Sequence, residues 1–204
     1  MRPERLSGFS DGVIAIIITI MVLELKVPHG GDLEALKSSL PVFLSYVLSF
    51  VYLAIYWNNH HRMLYVTERV TGAVLWANMD LLFWLSLVPF VTSWVGRFHD
   101  SATPAALYGV VLLMAAVGYY ILQTVIIRGQ GPDSLLARAI ARDLKGKSSI
   151  VIYAVAIPMA FVQVWIAYGL YIGVAVIWLI PDKRIERVLE DERRRRAGLS
   201  DRGP

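Results

Sequence analysis

The chain has 204 residues, 56% of them apolar, with a mean hydropathy of +0.55 and a formal charge of +4. That apolar share exceeds the roughly 45–50% of soluble domains and comes in long blocks, which reads as an integral membrane protein. Cysteine is absent, which excludes a disulfide framework, a thiolate metal site and a cysteine nucleophile. The basic residues sit in loops and the tail, where they fix membrane orientation rather than bind nucleic acid.

The first apolar block runs from Phe9 to Leu25. A charged start and a short apolar core are also marks of a secretory signal. Here Ser10 and Asp11 interrupt that start, and ELKVPHG offers no small-residue cleavage site, so the block reads as a retained first helix. An unpaired charge in hydrocarbon costs about 3 kcal/mol or more, so Arg5, Ser10 and Asp11 should not face lipid. Two readings stand. Ser10 or Asp11 caps the helix while Arg5 reaches the headgroups, or the three join a polar network at the cytoplasmic ends of several helices. After the block, Asp32 is placed to cap a short amphipathic outer-surface helix carrying Leu33, Leu36 and Leu40.

The second block, about Pro41 to Trp57, ends in YWNNHHR, residues 56–62. Adjacent histidines do not share a helix face, so His60 and His61 are a poor metal pair, and a His–Asp interaction fits them better. Tyr56 and Trp57 also fit an interfacial aromatic belt. The third block, about Val70 to Val95, carries Asn78 and Asp80. Asp80 is expected about 15 Å deep, buried against a partner or protonated. Arg5 and the His60/His61 pair are the expected partners. Such an acid is a functional candidate by default, and structural pairing explains it equally well. The fourth block runs from about Ala105 to Ile127.

The fifth block, Ser149 to Ile180, has 32 residues. As one helix it would be about 48 Å long against a hydrocarbon core of about 30 Å. The loop before it carries Arg128, Arg138, Arg142, Lys145 and Lys147, and the tail after it carries Lys183, Arg184, Arg187, Arg193 to Arg196 and Arg202. Both should stay cytoplasmic, which only a hairpin permits. Its turn is expected near Gln163 and Trp165. Arg2, Arg5, Arg62 and Arg69 fall on the same inner side, leaving Lys26, Lys37 and Arg97 outside. The expected organisation is all-α and polytopic: six transmembrane helices in residues 1–181, a cytoplasmic basic tail in 182–204, and both termini inside. The tail arginines also suit anionic headgroups of membrane lipids. No phosphate loop, zinc helix or nucleophile elbow is present, so the chain reads as a protein that is not an enzyme and needs no cofactor or metal.

Arg5, Phe9, Ser10 and Asp11 form an RxxxFSD motif, followed by GVIAIIITIMVLELKVP and the histidine-rich end of the second block. In these features the whole chain resembles the transmembrane protein 175 family, potassium channels of endosomes and lysosomes with bacterial relatives. The resemblance implies a bacterial member with one six-helix repeat, assembled as a homotetramer in the cell membrane. It implies a pore lined by the first helices with no re-entrant loop, and the chain has no TVGYG-like filter. It places the constriction at Ile16, five residues after the motif aspartate. Ile20 and Leu23 follow at i+4 and i+7, and Thr19 matches a threonine implicated in selectivity. It also gives weight to a network tying Arg5, Ser10 and Asp11 to His60, Asn78 or Asp80. The residues alone do not choose this face, because residues 13–23 are apolar all round except Thr19. Two rivals remain at this level: a carrier coupled to protons through Asp80 and a histidine, and a membrane scaffold.

Overall fold

The computed structural model describes residues 2–28, 30–132, 134–140 and 144–180. The described residues form helices and contain no strand. Arg142, the tail 182–204 and its arginine run lie outside them.

Helix α1 spans Pro3–Leu23. Pro3 opens it, where a missing N–H costs nothing. The cap residue is Arg2, with no side-chain capping bond. Ser10 and Asp11 therefore sit two turns inside the helix, which overturns the capping reading of them. Helix α2, Leu33–Ser38, is capped by Asp32, whose carboxylate accepts the Ala35 N–H at 2.8 Å. Its leucines Leu33 and Leu36 are exposed.

Helix α3 spans Leu40–Tyr65, two turns beyond the expected end. The YWNNHHR stretch is thus helical, with His60 buried and His61 exposed one step around the axis. The third block is two pieces, α4 Gly72–Ser86 and α5 Val88–Arg97. The break follows from Pro89, which has no N–H for the Leu85 carbonyl and crowds it. Helix α6, Ala102–Gln130, ends at Gly131 with φ of 93°, a left-handed conformation that glycine adopts without strain.

A six-residue helix α7, Leu135–Ile140, precedes α8, Leu144–Val162, and α9, Val164–Leu179. Pro158 lies within α8 without ending it. Gln163 is extended, with φ −155° and ψ 112°, and turns the chain back. Lys145 closes the hairpin by donating to the carbonyls of Ile177 and Ile180 at 3.2 and 3.0 Å, and Trp178 Nε1 donates to Ser149 Oγ at 2.9 Å. Among the described residues, five helical stretches are long and apolar enough to cross a membrane, with α4 and α5 counted as one. At 16 residues α9 is shorter, about 24 Å.

Lipid removes the hydrophobic drive for helix association, so small residues and hydrogen bonds must supply it. The interface of α6, α8 and α9 is built that way. Gly109 and Ala115 of α6 are buried, as are Ala156 and Ala160 of α8 and Ala167 and Ala175 of α9. Close approach leaves room for tyrosines, whose hydroxyls then need partners. Tyr171 donates to the Ala105 carbonyl at 3.0 Å, and Tyr52 to the Tyr171 carbonyl. Ser49 Oγ lies 2.6 Å from Thr92 Oγ1 and 2.9 Å from the Tyr108 hydroxyl, joining α3, α5 and α6. Against this body α1 lays one stripe, Leu6, Ser10, Ile14, Ile17 and Met21. Its spacing of three and four residues is one helix face.

Candidate functional site

One side of α1 is fixed to the rest of the chain by polar groups, and the other side is open. On the fixed side, Ser10, His60 and Asn78 are each 0% exposed. Asn78 Nδ2 donates to Ser10 Oγ at 3.0 Å, and His60 Nε2 lies 2.7 Å from Asn78 Oδ1. An amide oxygen only accepts, so His60 carries its ring proton on Nε2. Its Nδ1 is left a buried acceptor without a partner among the described residues. Asp11, one residue on, meets α3. Trp57 Nε1 donates to Asp11 Oδ1 at 2.9 Å, His61 Nδ1 lies 3.9 Å from Oδ2, and Ser7 Oγ lies 3.4 Å from the same oxygen. Together these contacts hold α1 to α3 and α4.

The other expected members stand apart. Arg5 and Phe9 are exposed, and the Arg5 guanidinium makes no hydrogen bond or ion pair among the described residues. Asp80 is exposed too, not buried against Arg5 or the histidines as expected. Helical residues two positions apart point about 200° apart, so with Asn78 facing inward, Asp80 faces out. It lies beside Gly118 of α6, among the exposed side chains of Trp76, Met79 and Phe83.

On the open side, Ile16 is 58% and Leu23 79% exposed, and Thr19 and Ile20 are exposed with them. Thr19 Oγ1 donates to the Ile16 carbonyl at 2.9 Å. With its proton committed to the backbone, the hydroxyl offers only lone pairs outward, the polarity that suits a cation. A groove of about 750 Å³ runs between α1 and α5, lined by Ile16, Ile20, Phe90 and Trp94. Glu24, Ser93 and Arg97 also line it. Ser93 Oγ donates to Glu24 Oε2 at 3.0 Å, and Arg97 Nη2 lies 3.6 Å from that oxygen.

Residues 5–89 match the family model described as "Endosomal/lysosomal potassium channel TMEM175". A protein named as a potassium channel from Chryseobacterium sp. (strain P1-3) is 52% identical over 191 residues, covering 94% of this chain and 100% of the relative. The chain belongs to the TMEM175 family. A second relative, named as a potassium channel from Chamaesiphon minutus, is 31% identical over 193 residues, covering 86% of this chain and 93% of its own. The crystal structure of a lysosomal potassium-selective channel TMEM175 homolog from Chamaesiphon minutus superposes with a TM-score of 0.77 at 28% identity, over 88% of this chain and 97% of that one. The all-helical multi-pass architecture is thus that of TMEM175 proteins.

In this TMEM175 chain the motif residues divide between two jobs. Ser10 and Asp11 turn inward and bond, while Arg5 and Phe9 stay at the surface. Sequence reasoning missed Trp57 as the partner of Asp11 and missed the Glu24–Arg97 pair. Trp57 carried a readable signal, an indole N–H one turn before a histidine that also reaches Asp11. The second pair carried none, because 73 residues separate Glu24 from Arg97.

Proposed function

We propose that the chain is the subunit of a potassium channel, assembled as a homotetramer around a pore lined by α1. The observation that carries this reading is the open face of α1. A helix at the surface of its own subunit presents Ile16, Thr19, Ile20 and Leu23 together, while a polar staple on its far side fixes its rotation. The names of the relatives agree with potassium as the ion. In this proposal six helices cross the cell membrane of a bacterium, α9 being the sixth, with both termini and the basic tail cytoplasmic.

Four Ile16 side chains form the constriction. A narrow apolar ring sheds water and gates by dewetting. An ion that passes gives up part of its hydration shell. Potassium holds water less tightly than sodium and loses less in doing so. The outward lone pairs of Thr19, about 4.5 Å further along the axis, replace some of that water. With no stack of carbonyls in the pathway, selectivity for potassium over sodium is modest. Ser10, Asp11, His60 and Asn78 serve this pore as its structural frame. The carrier alternative loses its relay, since Asp80 contacts neither His60 nor His61 among the described residues.

The test is purified protein in a planar bilayer under opposed potassium and sodium gradients. A channel gives unitary current steps and a reversal potential shifted toward potassium; slow flux without steps would favour a carrier, and silence a scaffold. Ile16→Asn should wet the ring and erode the discrimination between the two cations. Unchanged conductance and selectivity in that variant would remove Ile16 from the pore.

A further inference from the structure

We propose that Glu24 and Arg97 form a charge-neutral collar at the outer entrance of the pore, and that this pair sets how potassium conductance depends on ionic strength. The inference rests on the α1-lined pore proposed above. The groove that holds Ile16 and Ile20 also holds Glu24, Ser93 and Arg97. Glu24 follows Ile20 by four residues, about 6 Å along the axis, and follows Ile16 by about 12 Å. Arg97 is the last residue of α5, so both charges stand where these two helices end.

Both side chains of the pair are about half exposed. An ion pair in that position contributes little to folding. Its effect is on the field. A ring of carboxylates at a pore mouth draws cations, and rings of charged side chains are a common means of setting conductance. Here the ring is cancelled in place. The guanidinium of Arg97 and the hydroxyl of Ser93 converge on one oxygen of Glu24. The neighbouring charges do not replace Arg97. Lys26 shares the adjoining cleft with Glu24 and Arg97 but makes no ion pair with Glu24 among the described residues, Lys37 is paired with Glu34 at 3.3 Å, and Asp32 is engaged in capping α2.

Fourfold repetition places four such pairs around the entrance. Removing the guanidinium uncovers four carboxylates. For a ring radius on the order of 10 Å and about 10 mM salt, where fields reach about 30 Å, these would raise the local potassium concentration on the order of fivefold. At about 1 M salt the reach falls to about 3 Å and the effect vanishes.

The experiment is unitary conductance in planar bilayers, in symmetric potassium chloride at both salt levels, for Arg97→Gln, Glu24→Gln and the exchanged pair Glu24→Arg with Arg97→Glu. Arg97→Gln should conduct at least about twofold more than the wild type at low salt and equally at high salt. Glu24→Gln should conduct less at low salt, and the exchanged pair should return toward the wild type. If the wild type conducts and both single variants track it at low salt, the pair lies off the ion path; the collar is overturned and the channel reading stands. A wild type without current steps removes both. Loss of tetramer in Glu24→Gln on size exclusion would make the pair a structural tie and overturn the collar as well.

Discussion

Asn78→Ala removes the centre of the staple. In the native chain Asn78 Oδ1 accepts the His60 Nε2–H at 2.7 Å and Asn78 Nδ2–H donates to Ser10 Oγ at 3.0 Å, all three side chains being fully buried. Hydrogen bonds between membrane helices average about 0.6 kcal/mol and reach about 1.7 kcal/mol, so the two lost bonds account for about 1–3 kcal/mol. His60 is left worse than before. Its Nδ1 already lacks a partner, and its Nε2–H would join it, at a further cost of about 1–3 kcal/mol for a buried donor. The sum is about 2–6 kcal/mol. Ser10→Ala is the calibrating variant. It loses one of these bonds and leaves one buried Asn78 N–H unpaired but keeps the His60–Asn78 contact, so it should cost less, about 2–4 kcal/mol. The assay is reversible unfolding in mixed micelles with rising sodium dodecyl sulfate, followed by tryptophan fluorescence. If Asn78→Ala proves no less stable than Ser10→Ala, the staple does not hold α1 and the argument from its geometry fails.

Trp57→Phe keeps a ring beside His61, whose centroid lies 6.0 Å away, but loses the N–H donated to Asp11; a bond to a charged acceptor should cost about 1–2 kcal/mol in the same unfolding assay. Gly109→Ala would place a methyl group against the Tyr171 hydroxyl and 3.0 Å from Ile157 Cγ1, an overpacking that should destabilise by about 1–3 kcal/mol and lower the thermal midpoint. Gly169→Ala meets no atom within 4 Å, so it should be neutral or stabilising by up to about 1 kcal/mol; equal losses in the two glycine variants would refute the close approach of α6 and α9.

The helices were legible because hydropathy and length report directly on what a bilayer accepts. The fifth block could be read as a hairpin from charge alone, since its two basic flanks must share one side of the membrane. The structure turns it at Gln163 and fastens it with Lys145. Helix ends were harder. In α3 the polar stretch after Trp57 looked like an end, yet it continues as helix because Asn58, His60 and His61 find partners on other turns and helices. Ser10 looked like a cap because serine favours caps; inside the helix its hydroxyl instead bonds the Leu6 carbonyl at 2.9 Å and meets Asn78. Asp80 misled for a geometric reason, since sequence position gives depth in a membrane and says nothing of the direction a side chain faces.

That direction is the point on which the proposed pore depends. Between Val13 and Leu23, α1 is apolar on every side apart from Thr19. In water such a helix would turn its greasiest face inward, but in lipid all apolar faces are nearly equivalent, so hydrophobicity cannot set its rotation. The polar residues near its start can. Ser10 faces Asn78, and Ile14, Ile17 and Met21, at i+4, i+7 and i+11, are carried onto the buried stripe with it. Ile16 stands about 200° from Ile14 and is thereby turned out, with Thr19, Ile20 and Leu23 beside it. A rotation of one residue would take some 100° and would break the bonds of both Ser10 and Asp11. The serine and aspartate of the motif thus choose which isoleucines of an otherwise featureless helix face outward, and so which would meet neighbouring subunits and the ion in the proposed channel, although neither residue lies on the open face.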